Sequence, residues 1–218
     1  MSVLQLVKYL PSLKNSIKLF DANLFESGFV LVQTSLSNKF TLNTLITRFG
    51  EFRLFTGVTS LQFWRDGGTS FGYCSNLEYI DLSNITYING SSGGSSSGGN
   101  TASPLRGMTL VEITLPNLTR VNSYAFHNGT SASAQGSLRR INIGDSFTTI
   151  SSAYAFSYLN GASIKLLTAT PATGSTLRTD TRGSAYIYVP DDSVEDYKAA
   201  AAWANWKNYI KPLSECPW

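Results

Sequence analysis

Apolar residues recur along this chain in a phrase with the spacing Leu-x-x-Ile-x-Leu-x-x-Ile-x-x-Ile. The apolar positions of the first two copies are Leu77, Ile80, Leu82, Ile85 and Ile88, then Leu110, Ile113, Leu115, Leu118 and Val121. A third copy has Leu138, Ile141 and Ile143, followed by Phe147 and Ile150 after a one-residue insertion. A weaker fourth copy begins at Ile164, Leu167 and Ala169. Such recurrence predicts a repeat architecture, because one unit cannot bury its own apolar side and neighbours must stack to form a core. We therefore predict a short solenoid in which each repeat supplies one strand and one turn.

Each predicted strand should turn alternate side chains to opposite sides. Ile80 and Leu82 would then point inward, whereas six residues of three consecutive repeats would point outward. These six residues are Tyr79, Asp81, Glu112, Thr114, Arg140 and Asn142. Stacking would place Tyr79, Glu112 and Arg140 in one row and the other three in the next. Aromatic, charged and amide groups suit contacts with a protein or a glycan, so these six are the candidate ligand-binding residues. The alternative is a face that only meets solvent.

A second motif repeats on the other side of each predicted turn. Ser-Tyr-Ala-Phe at 123–126 returns as Ala-Tyr-Ala-Phe at 153–156, and Phe71 stands at the matched place of an earlier repeat. Burying one phenyl ring contributes roughly 1.5–3 kcal/mol. We therefore predict that Phe71, Phe126 and Phe156 turn inward and fill the core opposite the strands.

The N-terminal part of the chain does not follow the repeat. Residues 1–25 carry two apolar stripes at helical spacing, separated by Pro11, and predict two short amphipathic helices. We assign residues 1–36 as an N-terminal helical segment that either caps the first repeat or docks an assembly partner through residues 1–25. Residues 37–190 then hold the repeats, with a Gly/Ser-rich insert at 89–104 that predicts a flexible surface loop.

Residues 191–218 are assigned as a C-terminal helical cap. A predicted strand at 185–189 ends at Pro190, and Asp192 with Glu195 three residues later fits a capping box at the start of a helix. The apolar positions that continue helical spacing beyond it are Trp203, Trp206 and Ile210. These side chains should close the far end of the core.

Composition and charge exclude several kinds of partner. The chain has 17 basic and 14 acidic residues, and its largest basic cluster is the pair Arg139 and Arg140, which argues against nucleic acid. The longest uncharged apolar stretch, at 28–33, is too short to span a bilayer. Cys74 and Cys216 lie far apart in the sequence and flank no metal-binding motif, so we predict two thiols and no zinc site.

Few residues suit catalysis. His127 is the only histidine, and its place in a predicted turn indicates an exposed loop side chain. Asp81 and Glu112 come nearest to the carboxylate pair of a carbohydrate-active enzyme, but Arg140 beside Glu112 indicates a structural charge pair. The acids at 191–196 are explained by the start of a helix. We predict no enzyme, no cofactor and no bound metal.

Several passages resemble the BspA-type leucine-rich repeat proteins that are abundant in Bacteroidales. They are the phrases Tyr-Ala-Phe and Cys-Ser-Asn-Leu within the repeats, residues 49–61 before the first repeat, and residues 188–200 and 212–215 after the last. The resemblance covers about residues 40–215 and implies a right-handed α/β solenoid of about four irregular leucine-rich repeats, with an N-terminal and a C-terminal helical cap. It also implies adhesion or protein binding without catalysis, at the cell surface or outside the cell.

Residues 1–36 depart from the pattern of that family, and the sequence shows no recognisable signal peptide. An alternative function is therefore a structural or host-attachment component of a phage, a virion or a surface assembly, docked through residues 1–25. A virion-associated or cytoplasmic location would then replace the cell surface.

Overall fold

The computed structural model describes residues 48–49, 52–53, 57–62, 71, 74, 76–90, 103–105, 108–127, 137–179 and 183–218. Three sequence predictions fall on residues outside these ranges. They are the two helices of residues 1–25, the wider segment 1–36, and residues 91–102 of the Gly/Ser-rich insert 89–104.

The described residues form short strands that pair in parallel. Their bounds are β1 (Arg48–Phe49), β2 (Ser60–Gln62), β3 (Tyr79–Ile80), β4 (Tyr87–Asn89), β5 (Glu112–Leu115), β6 (Arg120–Val121), β7 (Arg140–Ile143), β8 (Thr149–Ile150), β9 (Ser163–Leu166), β10 (Thr173–Gly174), β11 (Ile187–Val189) and β12 (Ile210–Pro212). Within the described ranges, sheet 1 has the strand order β10-β8-β6-β4-β2 and sheet 2 has the order β12-β11-β9-β7-β5, while β1 pairs with β3.

The predicted fold class, an α/β solenoid of leucine-rich repeats with helical caps, is wrong. The described residues form two five-stranded parallel sheets in an arrangement that resembles an α/β sandwich. The repeat pattern predicted one strand in each repeat. The structure shows a second strand at the end of each repeated motif, with Ile88 in β4, Val121 in β6 and Ile150 in β8. Buried apolar side chains from both sheets join one core cluster.

The C-terminal cap also differs from the prediction. The helical segments there are a 3-10 turn at Asp191–Ser193, an α-helix at Val194–Ala199 and 3-10 segments at Ala201–Tyr209 and Leu213–Glu215. Trp203 and Trp206 are buried as predicted, but they lie on a 3-10 segment rather than on a capping α-helix. Their spacing of three residues suits a 3-10 helix, in which residues three apart lie above one another.

The predicted alternation of side chains along the strands is confirmed. Ile80 and Leu82 are buried, and Tyr79, which directly precedes Ile80, is 43% exposed. The predicted fourth copy is out of register, however, because Ile164 and Leu166 pair with the two apolar residues of β7 while Leu167 is 51% exposed.

A ladder of threonine residues runs along the start of the sheet 1 strands. We define the threonine ladder as Thr59, Thr86, Thr119 and Thr148. The Oγ1 atoms of Thr86, Thr119 and Thr148 each donate to the main-chain oxygen of the preceding ladder residue, over 3.2, 2.9 and 3.3 Å. The main-chain N–H groups of these three residues donate to the same oxygens, over 2.8 to 3.0 Å. Each ladder residue therefore fixes the register of the next strand.

We predict that Thr119→Val lowers the free energy of unfolding by about 1 kcal/mol, because valine keeps the shape of the side chain but removes one net hydrogen bond. Thr173→Val is the matched control. The N–H of Thr173 continues the ladder to Thr148, but within the described residues its hydroxyl makes no hydrogen bond. Urea denaturation of both variants measures the difference, and equal losses would contradict a role for the hydroxyl.

Phenylalanine rings fill the core as predicted. Phe71, Phe126 and Phe156 are buried. The rings of Phe126 and Phe156 stack with centroids 5.7 Å apart, and Phe156 also lies 6.0 Å from the ring of Trp203. The ring of Phe156 therefore connects the repeats to the C-terminal segment.

We predict that Phe156→Ala lowers the free energy of unfolding by about 3–5 kcal/mol, through lost burial and the cavity that remains. Leu167→Ala removes an exposed apolar side chain and should change stability by less than about 0.5 kcal/mol. Chemical denaturation checks both values. A loss below about 1 kcal/mol for Phe156→Ala would contradict the role of this ring in packing the repeats against the C-terminal segment.

Candidate functional site

The six residues predicted as a ligand-binding site lie on the outer face of sheet 2 and on the nearby strand β3. Glu112 is in register with Arg140, and Thr114 with Asn142, as the predicted rows require. Tyr79 lies on β3, and Asp81 follows that strand directly. The structure thus places all six side chains in one region of the surface.

An open cleft separates β3 from β5. It has a volume of about 640 Å³, and its lining includes Tyr79, Asp81, Glu112 and Thr114. Within the described residues, no strand pairing joins β3 to β5. We call this space the β3–β5 cleft.

Two side chains hold the β3–β5 cleft at its ends. The Oγ1 of Thr109 donates to the main-chain oxygen of Leu77 over 3.0 Å, and the Nδ2 of Asn117 donates to that of Ser83 over 2.7 Å. These side-chain bonds link residues that flank β3 to residues that flank β5. The cleft is therefore bounded by fixed contacts at both ends.

The main-chain N–H and C=O groups along one edge of β5 point into the β3–β5 cleft. The main-chain oxygens of Val111 and Leu115 face β7, where they accept from the N–H groups of Arg140 and Gly144. Successive residues of a strand direct their N–H and C=O groups to opposite sides. The main-chain groups of Glu112 therefore face the cleft, and such a strand edge can pair with an extended segment of another chain.

Charged pairs surround the β3–β5 cleft. The Oε2 of Glu112 lies 3.1 Å from the Nη1 of Arg140, and the Oδ2 of Asp81 lies 3.4 Å from the Nε of Arg53. The guanidinium of Arg48 lies 4.9 Å from the ring centroid of Tyr79. The predicted charge pair between Glu112 and Arg140 is confirmed. Exposed pairs of this kind contribute only about 0–1 kcal/mol each, so a ligand can replace them at little cost.

Asn142 contacts a segment that was not predicted to reach the site. Its Oδ1 accepts a hydrogen bond from the indole Nε1 of Trp218 over 3.2 Å, while its Nδ2 donates to the Oε1 of Glu112 over 2.6 Å. The Nζ of Lys165 donates to the main-chain oxygen of Trp218 over 2.7 Å. No periodicity predicts a contact between residues 76 positions apart.

The ring of Trp218 also covers Tyr188. The two ring centroids lie 5.4 Å apart in an edge-to-face arrangement, and Tyr188 is buried. This burial raises the pKa of the Tyr188 phenol above its ordinary value. Trp218 itself is half-buried.

Two predictions about titratable residues are wrong. His127 is buried rather than exposed, and its ring packs against Tyr124 and Tyr158 with centroids 6.0 and 4.7 Å away. The capping box of Asp192 and Glu195 is not formed either. The α-helix instead begins after Ser193, which, within the described part of the chain, makes no side-chain capping bond.

The C-terminal acids have structural partners. Asp191 accepts a hydrogen bond from the N–H of Ser214 over 3.0 Å, and hydrogen bonding from Ser214 lowers the pKa of its carboxyl group. Glu195 pairs with Lys198 over 2.8 Å. Across the described ranges, no group of three or more His, Cys, Asp or Glu side chains is arranged to hold a metal ion.

No protein-family model matches this sequence, and no characterised protein matches it. The resemblance to BspA-type proteins therefore stays a prediction. Every helix within the described ranges is too short or too polar to cross a bilayer.

Proposed function

We propose that this chain is a non-enzymatic recognition module that binds a protein or a surface glycan through the outer face of sheet 2 and the β3–β5 cleft. The β3–β5 cleft is the observation that supports this proposal most. It is an open space of about 640 Å³ lined by Tyr79, Asp81, Glu112 and Thr114. Aromatic and charged side chains around a concave surface are common in binding sites.

The outer face of sheet 2 offers further contacts. Parallel sheets are usually covered on both faces, yet Glu112 and Thr114 remain exposed and Asn142 only half-buried on this one. The main chain of β5 offers donors and acceptors that match an extended peptide better than a sugar. These features favour a protein partner over a glycan. The resemblance of residues 49–61 and 188–200 to surface proteins supports a location at the cell surface or outside the cell.

We predict that the double variant Tyr79→Ala/Arg140→Ala loses at least tenfold in partner affinity and keeps the fold, because both side chains point outward. The matched control is Tyr87→Ala/Arg120→Ala. It removes the same residue types from the outer face of sheet 1, where the guanidinium of Arg120 lies 4.1 Å from the ring centroid of Tyr87.

The measurement uses peptides selected from a random display library against the unmodified protein, with a glycan array in parallel. Each selected ligand is then titrated against both double variants. Weakened binding by the sheet 2 variant alone supports the proposal. Equal binding by the two variants, or no selected ligand at all, contradicts it.

A further inference from the structure

Residues 216–218 lie over the outer face of sheet 2, and Trp218 occupies a defined binding site there. Residues of three neighbouring strands form this site. Asn142 of β7 accepts from the indole N–H, Lys165 of β9 donates to the main-chain oxygen, and the ring of Tyr188 of β11 meets the indole at an angle of 84°. We call this position the indole seat.

The chemistry of the indole seat selects one kind of occupant. An acceptor for the ring N–H distinguishes tryptophan from phenylalanine. The ammonium of Lys165 donates to a main-chain oxygen next to the ring, and it lies 5.5 Å from the indole centroid, over the face of the ring. A tryptophan within a peptide satisfies all of these contacts, whereas a free sugar satisfies none of them together.

The indole seat is continuous with the β3–β5 cleft. The amide of Asn142 joins the two, since its oxygen binds Trp218 while its nitrogen donates to Glu112 at the rim of the cleft. Strands β9, β7 and β5 are adjacent, and strand spacing makes the distance from β9 to β5 roughly 10 Å. About three extended residues cover that distance.

We infer that the indole seat binds a tryptophan of a peptide partner, and that Trp218 is the occupant from this chain which the partner displaces. This inference rests on the proposed function, because it names the partner chemistry of the same face. Trp218 is tethered to its seat, so it competes with an effective concentration on the order of millimolar. The half-buried ring and the exposed Pro217 beside it leave the segment accessible for exchange.

The test uses a peptide with the sequence of residues 213–218, in which Cys216→Ser prevents oxidation. The peptide is titrated to millimolar concentration into ¹⁵N-labelled protein, and the side-chain amide signal of Asn142 is followed. We expect the Trp218→Ala protein to bind this peptide at least tenfold more tightly than the unmodified protein, because the seat is then empty. Adding Asn142→Ala to Trp218→Ala should weaken binding about tenfold, and in that variant the titration follows the main-chain amide signals of β7 and β9.

A peptide with phenylalanine in place of tryptophan is the matched control, since it keeps the ring and lacks the N–H group. It should bind the Trp218→Ala protein about tenfold more weakly than the tryptophan peptide. Equal affinities of the two peptides, equal affinity of the peptide for unmodified and Trp218→Ala protein, or no shift of the Asn142 signal would each overturn the inference.

This measurement does not depend on the ligands selected from the library. Failure of the peptide to bind would remove the indole seat and leave the proposed function in place. Failure of the sheet 2 double variant to lose library ligands would remove the proposed function, whatever the peptide does.

Discussion

The register of successive strands is the constraint on which the surface of this protein depends. In sheet 1 the threonine ladder sets that register through paired bonds from a hydroxyl and an N–H to one oxygen. Only four residues separate the end of β5 from the start of β6. Because this connection is short, the register of the strands in sheet 1 also restricts the register of the strands in sheet 2. Close approach also matters, since a Cβ on Gly144 would meet the carbonyl oxygen of Pro116. Side chains of neighbouring strands in sheet 2 therefore meet in fixed pairs.

At the β3–β5 cleft, strand pairing is continuous in sheet 1 but interrupted on the opposite side of the core. On the sheet 1 side, β4 pairs with both β2 and β6, and the threonine ladder passes through this region without interruption. On the other side, the side chains of Thr109 and Asn117 connect the segments that flank β3 and β5, and no main-chain pairing joins these two strands in the described part of the chain. The strands of sheet 1 are thus hydrogen-bonded to one another here, while an open space separates β3 from β5. Because the closed side fixes the relative position of the strands, the cleft has a defined shape.

The sequence predicted what depends on local periodicity and missed what depends on short or distant contacts. Alternation of apolar residues gave the inward positions of Ile80 and Leu82 and the pairing of Glu112 with Arg140, because a strand reverses its face at every residue. The second strands were missed, since two or three residues with a single buried one, as at Ile88, carry almost no periodic signal. The contact of Trp218 with Asn142 follows from tertiary packing alone, which no local pattern encodes.

The residues that stabilise the fold differ from those of the proposed recognition face. The rings of Phe126 and Phe156 and the aliphatic core are buried, whereas the ion pairs of Glu112 and Asp81 are accessible to solvent, fully or in part, and contribute little to folding. In the proposed function, binding at the outer face therefore leaves the buried contacts of the fold unchanged. Displacement of Trp218 would act first on Asn142, because the side-chain amide of Asn142 binds both Trp218 and Glu112. In the proposed exchange, a ligand that displaces Trp218 would free the side-chain amide of Asn142 to reorient, and the carboxylate of Glu112 would then lose its hydrogen bond from that amide.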